Sequence, residues 1–144
     1  MAAQVTLRDA DAWGNLAVTV SCKAIVYESG RIWLRMNERG DWELPGGRLD
    51  EGEQPEVTVE RELHEELGVT VCNLNLIDVY VWKKDFGTSR YVELVTFRCD
   101  VKTRSGEFER IGEAGVSDFD LFSVEDALKL PNLPTPYKRA IEKL

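Results

Sequence analysis

The stretch Gly47 to Val69, GRLDEGEQPEVTVERELHEELGV, constrains this chain more than any other. Pro55 suits the first position of a helix, where a missing N–H costs nothing, and Gly68 suits the residue just past a helix end. The segment between them predicts a helix of roughly three and a half turns. On it Val59, Leu63 and Leu67 fall at i, i+4 and i+8 and form one apolar stripe. Glu62, Glu65 and Glu66 fall at i, i+3 and i+4, on one face beside that stripe. Carboxylates placed this way repel one another, by roughly 0.2–0.5 kcal/mol per pair on an exposed helix. A hard divalent cation turns that repulsion into a site, and Mg²⁺ takes carboxylates, waters and substrate phosphates together. The plain alternative is a solvated glutamate face, which is what most such runs are.

The surroundings favour the site. A Gly-rich turn, Pro45-Gly46-Gly47, leads into the segment, and its glycines allow close backbone approach. Arg61 can hold a carboxylate such as Glu53 with a two-pronged hydrogen bond, pinning loop to helix. The segment resembles the Nudix box, G-x5-E-x7-R-E-U-x-E-E-x-G-U with U aliphatic. Gly47, Glu53, Arg61, Glu62, Leu63, Glu65, Glu66, Gly68 and Val69 match it position by position. The lead-in Trp42-Glu43-Leu44-Pro45-Gly46 is also similar to the family's approach to the box. Thr58 and Val59 stand where many members carry alanine, which reads as a packing variation.

The resemblance implies an α+β fold, an α/β/α sandwich in which a mixed β-sheet lies between helices and the box forms a loop–helix–loop. It implies that Glu62, Glu65 and Glu66 bind one or more divalent ions, Mg²⁺ or Mn²⁺, with the Gly46 carbonyl joining them. A metal-bound water is then the nucleophile on phosphorus. Glu62 and Glu66 are the positions expected to be most sensitive, and Glu53 and Arg61 are scaffold for them. Family members differ in the general base, for which Glu109, Glu113 and Asp118 are candidates. Glu113 is preferred because it shortly precedes a predicted strand, Phe119 to Phe122, where the family often places a fourth acidic ligand. A solvated loop glutamate is the alternative there.

A chain of 144 residues predicts a single domain, residues 1–144, with one sizeable core. The net charge of −8 argues against binding large nucleic acids or anionic membranes by bulk electrostatics. A small phosphate-bearing substrate remains compatible, with metal ions mediating the contact. The opening MAAQVTLRDADAW lacks the basic start and apolar run of a secretory signal. Cys22, Cys72 and Cys99 are widely spaced in apolar contexts and read as reduced thiols of a cytoplasmic protein. His64 reads as a solvent-facing histidine on the outer helix face.

Strand patterns run over Leu16–Tyr27, Arg31–Met36, Val71–Lys83, Tyr91–Val101 and Phe119–Phe122. Asn37–Asp41 reads as a polar loop, Ser123 as the cap of a helix from Val124 to Leu130, and Pro136–Leu144 as a terminal helix. Strands on both sides of a central helix indicate one layered domain.

The organic half of the substrate is less legible. Trp82 and Phe86 are candidate stacking partners for a base, and Arg90, with Lys83 and Lys84, a candidate phosphate contact. Each has a bland alternative in core packing or a solvated loop face. The downstream proline and tyrosine that mark ADP-ribose and dinucleoside polyphosphate hydrolases are absent. The expectation is a metal-dependent hydrolase of a nucleoside diphosphate linked to another moiety, a nucleoside triphosphate or nucleotide sugar before others. The alternative is a nucleotide-binding or sensing module on the same fold, although such proteins usually show eroded boxes. Homodimers are common among similar proteins.

Overall fold

Helix α1, Pro55–Leu67, forms from the segment that most constrains the sequence, in a computed structural model that describes residues 10, 13–85, 89–105 and 118–144. Gln54 is extended ahead of it, Pro55 takes the first turn, and Gly68 ends it in the left-handed region at φ 66°. The Gly68 N–H donates to the His64 carbonyl at 3.0 Å, satisfying one of the last turn's carbonyls. Val59, Leu63 and Leu67 are fully buried, so the predicted stripe is the face that docks. Each such side chain contributes about 1.5–3 kcal/mol of burial. His64 is exposed.

The stripe packs on a mixed sheet. Its described strands are β1 Thr19–Glu28, β2 Arg31–Met36, β3 Trp42–Glu43, β4 Gly46–Arg48, β5 Val69–Asp85, β6 Ser89–Arg104 and β7 Phe119–Phe122. The main order is β3-β2-β1-β6-β5, with β4 added to β1 and β7 to β2. The β1–β6 pairing is parallel and the others are antiparallel. Central β1 is buried on both faces. Cys22, Ala24 and Val26 meet α1, while Ile25 faces Leu44, Tyr137 and Ile141. That second face is covered by α2 Val124–Leu128 and α3 Thr135–Glu142, so the sheet lies between helices as the resemblance implied.

Boundaries shifted where pairing overrode pattern. The first strand starts at Thr19, and Leu16 makes only an isolated bridge to Ala10. β5 and β6 outrun their apolar alternation because they pair along their whole length, absorbing register irregularities at Thr70/Val71, Cys72/Asn75 and Leu76/Asp78. β3 and β4 are too short to carry a sequence signal and exist because β2 and β1 offer them partners. The loop 37–41 is held by Asn37, whose Oδ1 accepts from the N–H of Arg39 at 2.9 Å and of Asp41 at 3.1 Å. Ser123 caps α2, its Oγ accepting from the Asp126 N–H at 3.0 Å, but α2 ends at Leu128. The three cysteines are free thiols. Among the described residues, no helix is long and apolar enough to cross a membrane.

Candidate active site

Arg61 sits at the centre of the acidic cluster. Its Nε donates to Glu53 Oε2 at 2.8 Å and its Nη2 to Glu53 Oε1 at 3.1 Å, the two-pronged pair that ties the 49–54 loop to α1. Nη2 also reaches Asp50 at 3.1 Å, and Nη1 reaches Glu62 at 3.1 Å and Glu65 at 3.4 Å. The Arg61 guanidinium holds the Glu53 carboxyl down at about 2, and the Thr58 hydroxyl, donating to Glu53 Oε1 at 2.9 Å, adds to this against the opposing effect of burial. Glu53 is therefore a fixed anion with its oxygens occupied, which suits a scaffold rather than a proton carrier.

Glu62 and Glu66, one turn apart on α1, are brought against the Gly46–Gly47 strand. Glu66 Oε2 accepts from the Gly46 N–H at 3.3 Å. A Cβ at Gly47 would stand 2.3 Å from Glu62 Oε1, so the absent side chain leaves the space that the carboxylate fills. Burial pushes the Glu66 carboxyl up to about 8; the Glu62 charge pushes the same way, while Lys23 and the Gly46 N–H pull it down. Two facing carboxylates, both half-buried, form a hard-oxygen donor set with excess negative charge, and a divalent cation suits it. Glu65 lies outward, with 57% of its side chain exposed, and shares Arg61 Nη1 with Glu62. Among the described residues, no three acidic, histidine or cysteine side chains converge as a ready-made cage. Carbonyl oxygens, substrate phosphates and waters would complete the coordination.

A cavity of about 230 Å³ opens on the sheet face away from α1, lined by Asn37, Arg39, Glu43, Trp82, Lys84 and Tyr137 among others. Trp82 packs edge-on to Tyr137 with ring centroids 5.8 Å apart, and the Lys84 ammonium lies 4.6 Å above the Trp82 ring. Burial lowers the Lys84 pKa and nearby Arg39 adds to that, with Glu43 opposing. Glu43 is clamped by Arg35 Nη1 at 3.0 Å and Asn37 Nδ2 at 3.4 Å. A second pocket, of about 190 Å³, is lined by Arg35, Met36, Asn37, Glu38 and Asp118. Asn37 thus joins the two.

Of the predicted substrate contacts, Trp82 lines the cavity. Arg90 is exposed on β6, directly opposite Lys84, and so on the same sheet face. Phe86 and the candidate bases Glu109 and Glu113 lie outside the described residues. Asp118 holds its strand through its carbonyl, which accepts from the Met36 N–H at 2.8 Å, and its carboxylate is 3.9 Å from Arg35. Lys23, Asn37 and Tyr137 escaped the sequence reading, and Glu43 was noted there only as part of the lead-in. Their one visible signal is the lysine at position 23 in the middle of a strand whose neighbouring residues Cys22, Ala24, Ile25 and Val26 are apolar.

The NUDIX domain profile matches residues 16–144. A MutT-like protein of Streptomyces ambofaciens is 41% identical over 76 residues, which are 52% of this chain and 46% of that protein. An ADP-ribose pyrophosphatase of Bacillus subtilis (strain 168) is 34% identical over 115 residues, 80% of this chain and 59% of that protein. The chain thus spans about half the length of the curated relatives it matches. The crystal structure of a MutT NUDIX hydrolase from Burkholderia pseudomallei superposes with a TM-score of 0.71 at 27% identity, covering 89% of this chain and 98% of that one.

Proposed function

This chain belongs to the NUDIX domain family, and on that premise we propose that it is a divalent-metal-dependent hydrolase of a phosphoric anhydride bond, acting on a nucleoside diphosphate linked to another moiety. A nucleoside triphosphate or a nucleotide sugar is the preferred substrate class. The observation that carries the reading is the Glu62–Glu66 pair, seated against Gly46 and Gly47 with Glu66 half-buried and its carboxyl pushed up to about 8. Glu62 and Glu66, with Glu65 and the Gly46 carbonyl, would hold Mg²⁺ or Mn²⁺. The bound ion supplies charge neutralisation on the phosphates and a water acidified for attack on phosphorus. Arg61 and Glu53 keep the helix face and its loop in register. Trp82 offers an aromatic wall to the organic group, and Lys84 and Arg90 lie where further phosphate charge is met. Glu113 is the proposed base. The free cysteines suit a reducing compartment, and cytoplasmic residence is part of the reading.

The test is a hydrolysis screen in Mg²⁺ and Mn²⁺ over nucleoside triphosphates (oxidised ones included), nucleotide sugars, ADP-ribose, dinucleoside polyphosphates and coenzyme A. One preferred substrate is expected. Glu62→Gln and Glu66→Gln should each lower its turnover about a hundredfold or more. Folded variants that keep wild-type turnover would show that the carboxylate pair is not the metal site. Ligand binding with no product over hours would instead make the protein a sensing module.

A further inference from the structure

Lys23 is a lysine in the middle of the central strand with 7% of its surface exposed. Its register partners are Gly46 on β4 and Thr96 on β6, neither of which carries a charge. Among the described residues, the Lys23 ammonium makes no hydrogen bond or ion pair, and although the residue is largely buried its ammonium still reaches solvent. A lysine whose stem is packed in the sheet and whose charged tip is open and unpaired is placed to receive an anion.

Its surroundings say where that anion would sit. Alternation along β1 sends Cys22 and Ala24 toward α1, and Lys23, like Ile25, toward the opposite face, where Leu44, Trp82 and Tyr137 pack. Gly46 rests on Lys23 so closely that a Cβ there would stand 2.9 Å from the Lys23 Cα, and the same Gly46 N–H holds Glu66. Lys23 therefore stands beside Gly46 and the Glu66 carboxylate that Gly46 holds, on the sheet face where Trp82 lines the cavity, along the span a phosphate chain would cross when its organic end occupies the cavity.

We propose that Lys23 contacts substrate directly, its ammonium donating to a phosphate oxygen between the Glu62–Glu66 pair and the Trp82–Lys84 cavity. The inference rests on the hydrolase reading above. Lys23 was not among the residues the motif singled out, because it lies far outside the box. The competing role is that of a structural counter-ion to Glu66, and the two roles predict opposite results for stability.

The experiment compares the full chain with Lys23→Met in three measurements. These are Mn²⁺ affinity by electron paramagnetic resonance, affinity for inorganic pyrophosphate in Mg²⁺ by calorimetry, and thermal midpoint. The proposal expects Lys23→Met to bind Mn²⁺ at least as tightly as wild type, to bind pyrophosphate about tenfold more weakly or worse, and to melt at the same temperature or higher. Unchanged pyrophosphate affinity in the variant overturns it, as does a wild type that binds Mn²⁺ but not pyrophosphate. If Lys23→Met fails to fold while Lys23→Met/Glu66→Gln folds, the lysine is the counter-ion and the proposal falls. The Mn²⁺ titration keeps the two readings apart. A wild type without Mn²⁺ affinity overturns the metal-site reading and the proposal built on it, whereas normal Mn²⁺ binding with unaltered pyrophosphate binding overturns Lys23 alone.

Discussion

Gly46 and Gly47 are neighbours on β4, yet a methyl group would do different damage at each. At Gly46, where φ is 135°, a Cβ would stand 2.1 Å from the Cys22 carbonyl oxygen. Gly46→Ala should therefore cost at least about 1–3 kcal/mol from backbone conformation alone, seen as a lowered thermal midpoint. At Gly47 the atoms nearest the new Cβ all belong to the Glu62 carboxylate, the movable end of a side chain. Gly47→Ala should melt close to wild type while losing about a hundredfold in turnover, because the displaced group is the proposed metal ligand, whose placement matters within an ångström. Equal losses of stability at both positions would contradict this division. Arg61→Lys keeps the charge but loses the fork that grips Glu53, and metal affinity should fall by about 10–100-fold in a Mn²⁺ titration. Thr58 shows where reading by residue type fell short. Taken from the sequence as a packing variation, it is fully buried and its hydroxyl helps fix Glu53.

Among the elements, α3 packs Tyr137, Ala140 and Ile141 on the sheet and is also tied to it by an ion triad. Asp78, buried on β5, accepts from Lys143 Nζ at 2.6 Å and from Arg139 Nε at 3.2 Å, while Arg139 also lies over the Tyr80 ring. Burial alone would raise the Asp78 pKa; the bonds from Lys143 and Arg139 outweigh it and hold the group below its ordinary value. A depressed carboxyl pKa stabilises the fold fully above the ordinary aspartate range, near pH 4, and that stability is lost as pH falls through the lower folded-state value. Asp78→Asn should lose about 1–3 kcal/mol at neutral pH and flatten the acid limb of the stability curve. Parallel acid limbs for variant and wild type, measured by urea unfolding from acid to neutral pH, would sink the assignment. Because α3 carries Tyr137, a wall of the cavity, the same variant should weaken substrate binding more than it weakens Mn²⁺ binding.

Taken whole, the molecule carries a net charge of −8 and concentrates part of it on one helix face. Divalent ions should therefore stabilise it by mass action, by about 2.7 kcal/mol at a hundred times their dissociation constant. A thermal midpoint raised by Mg²⁺ in wild type and unmoved in Glu62→Gln/Glu66→Gln is the expected result. No rise in wild type, with Mn²⁺ giving none either, would refute the metal site. The sequence by itself determined α1, its caps, its buried stripe and the Glu53–Arg61 clamp, because these depend on residues within two dozen positions of one another and on the period of a helix. It also determined the alternation of helices and strands that makes an α+β layered fold. Only the tertiary structure decided that β1 runs parallel to β6, that Asn37, Trp82 and Tyr137 line one cavity, and that Lys23 is packed beside Gly46, whose N–H holds Glu66. Those relations span roughly forty to a hundred positions of the chain through strand register and the packing of α3. Neither leaves a periodic mark on the chain, since a strand's alternation tells which residues share a face but not which distant face they will meet.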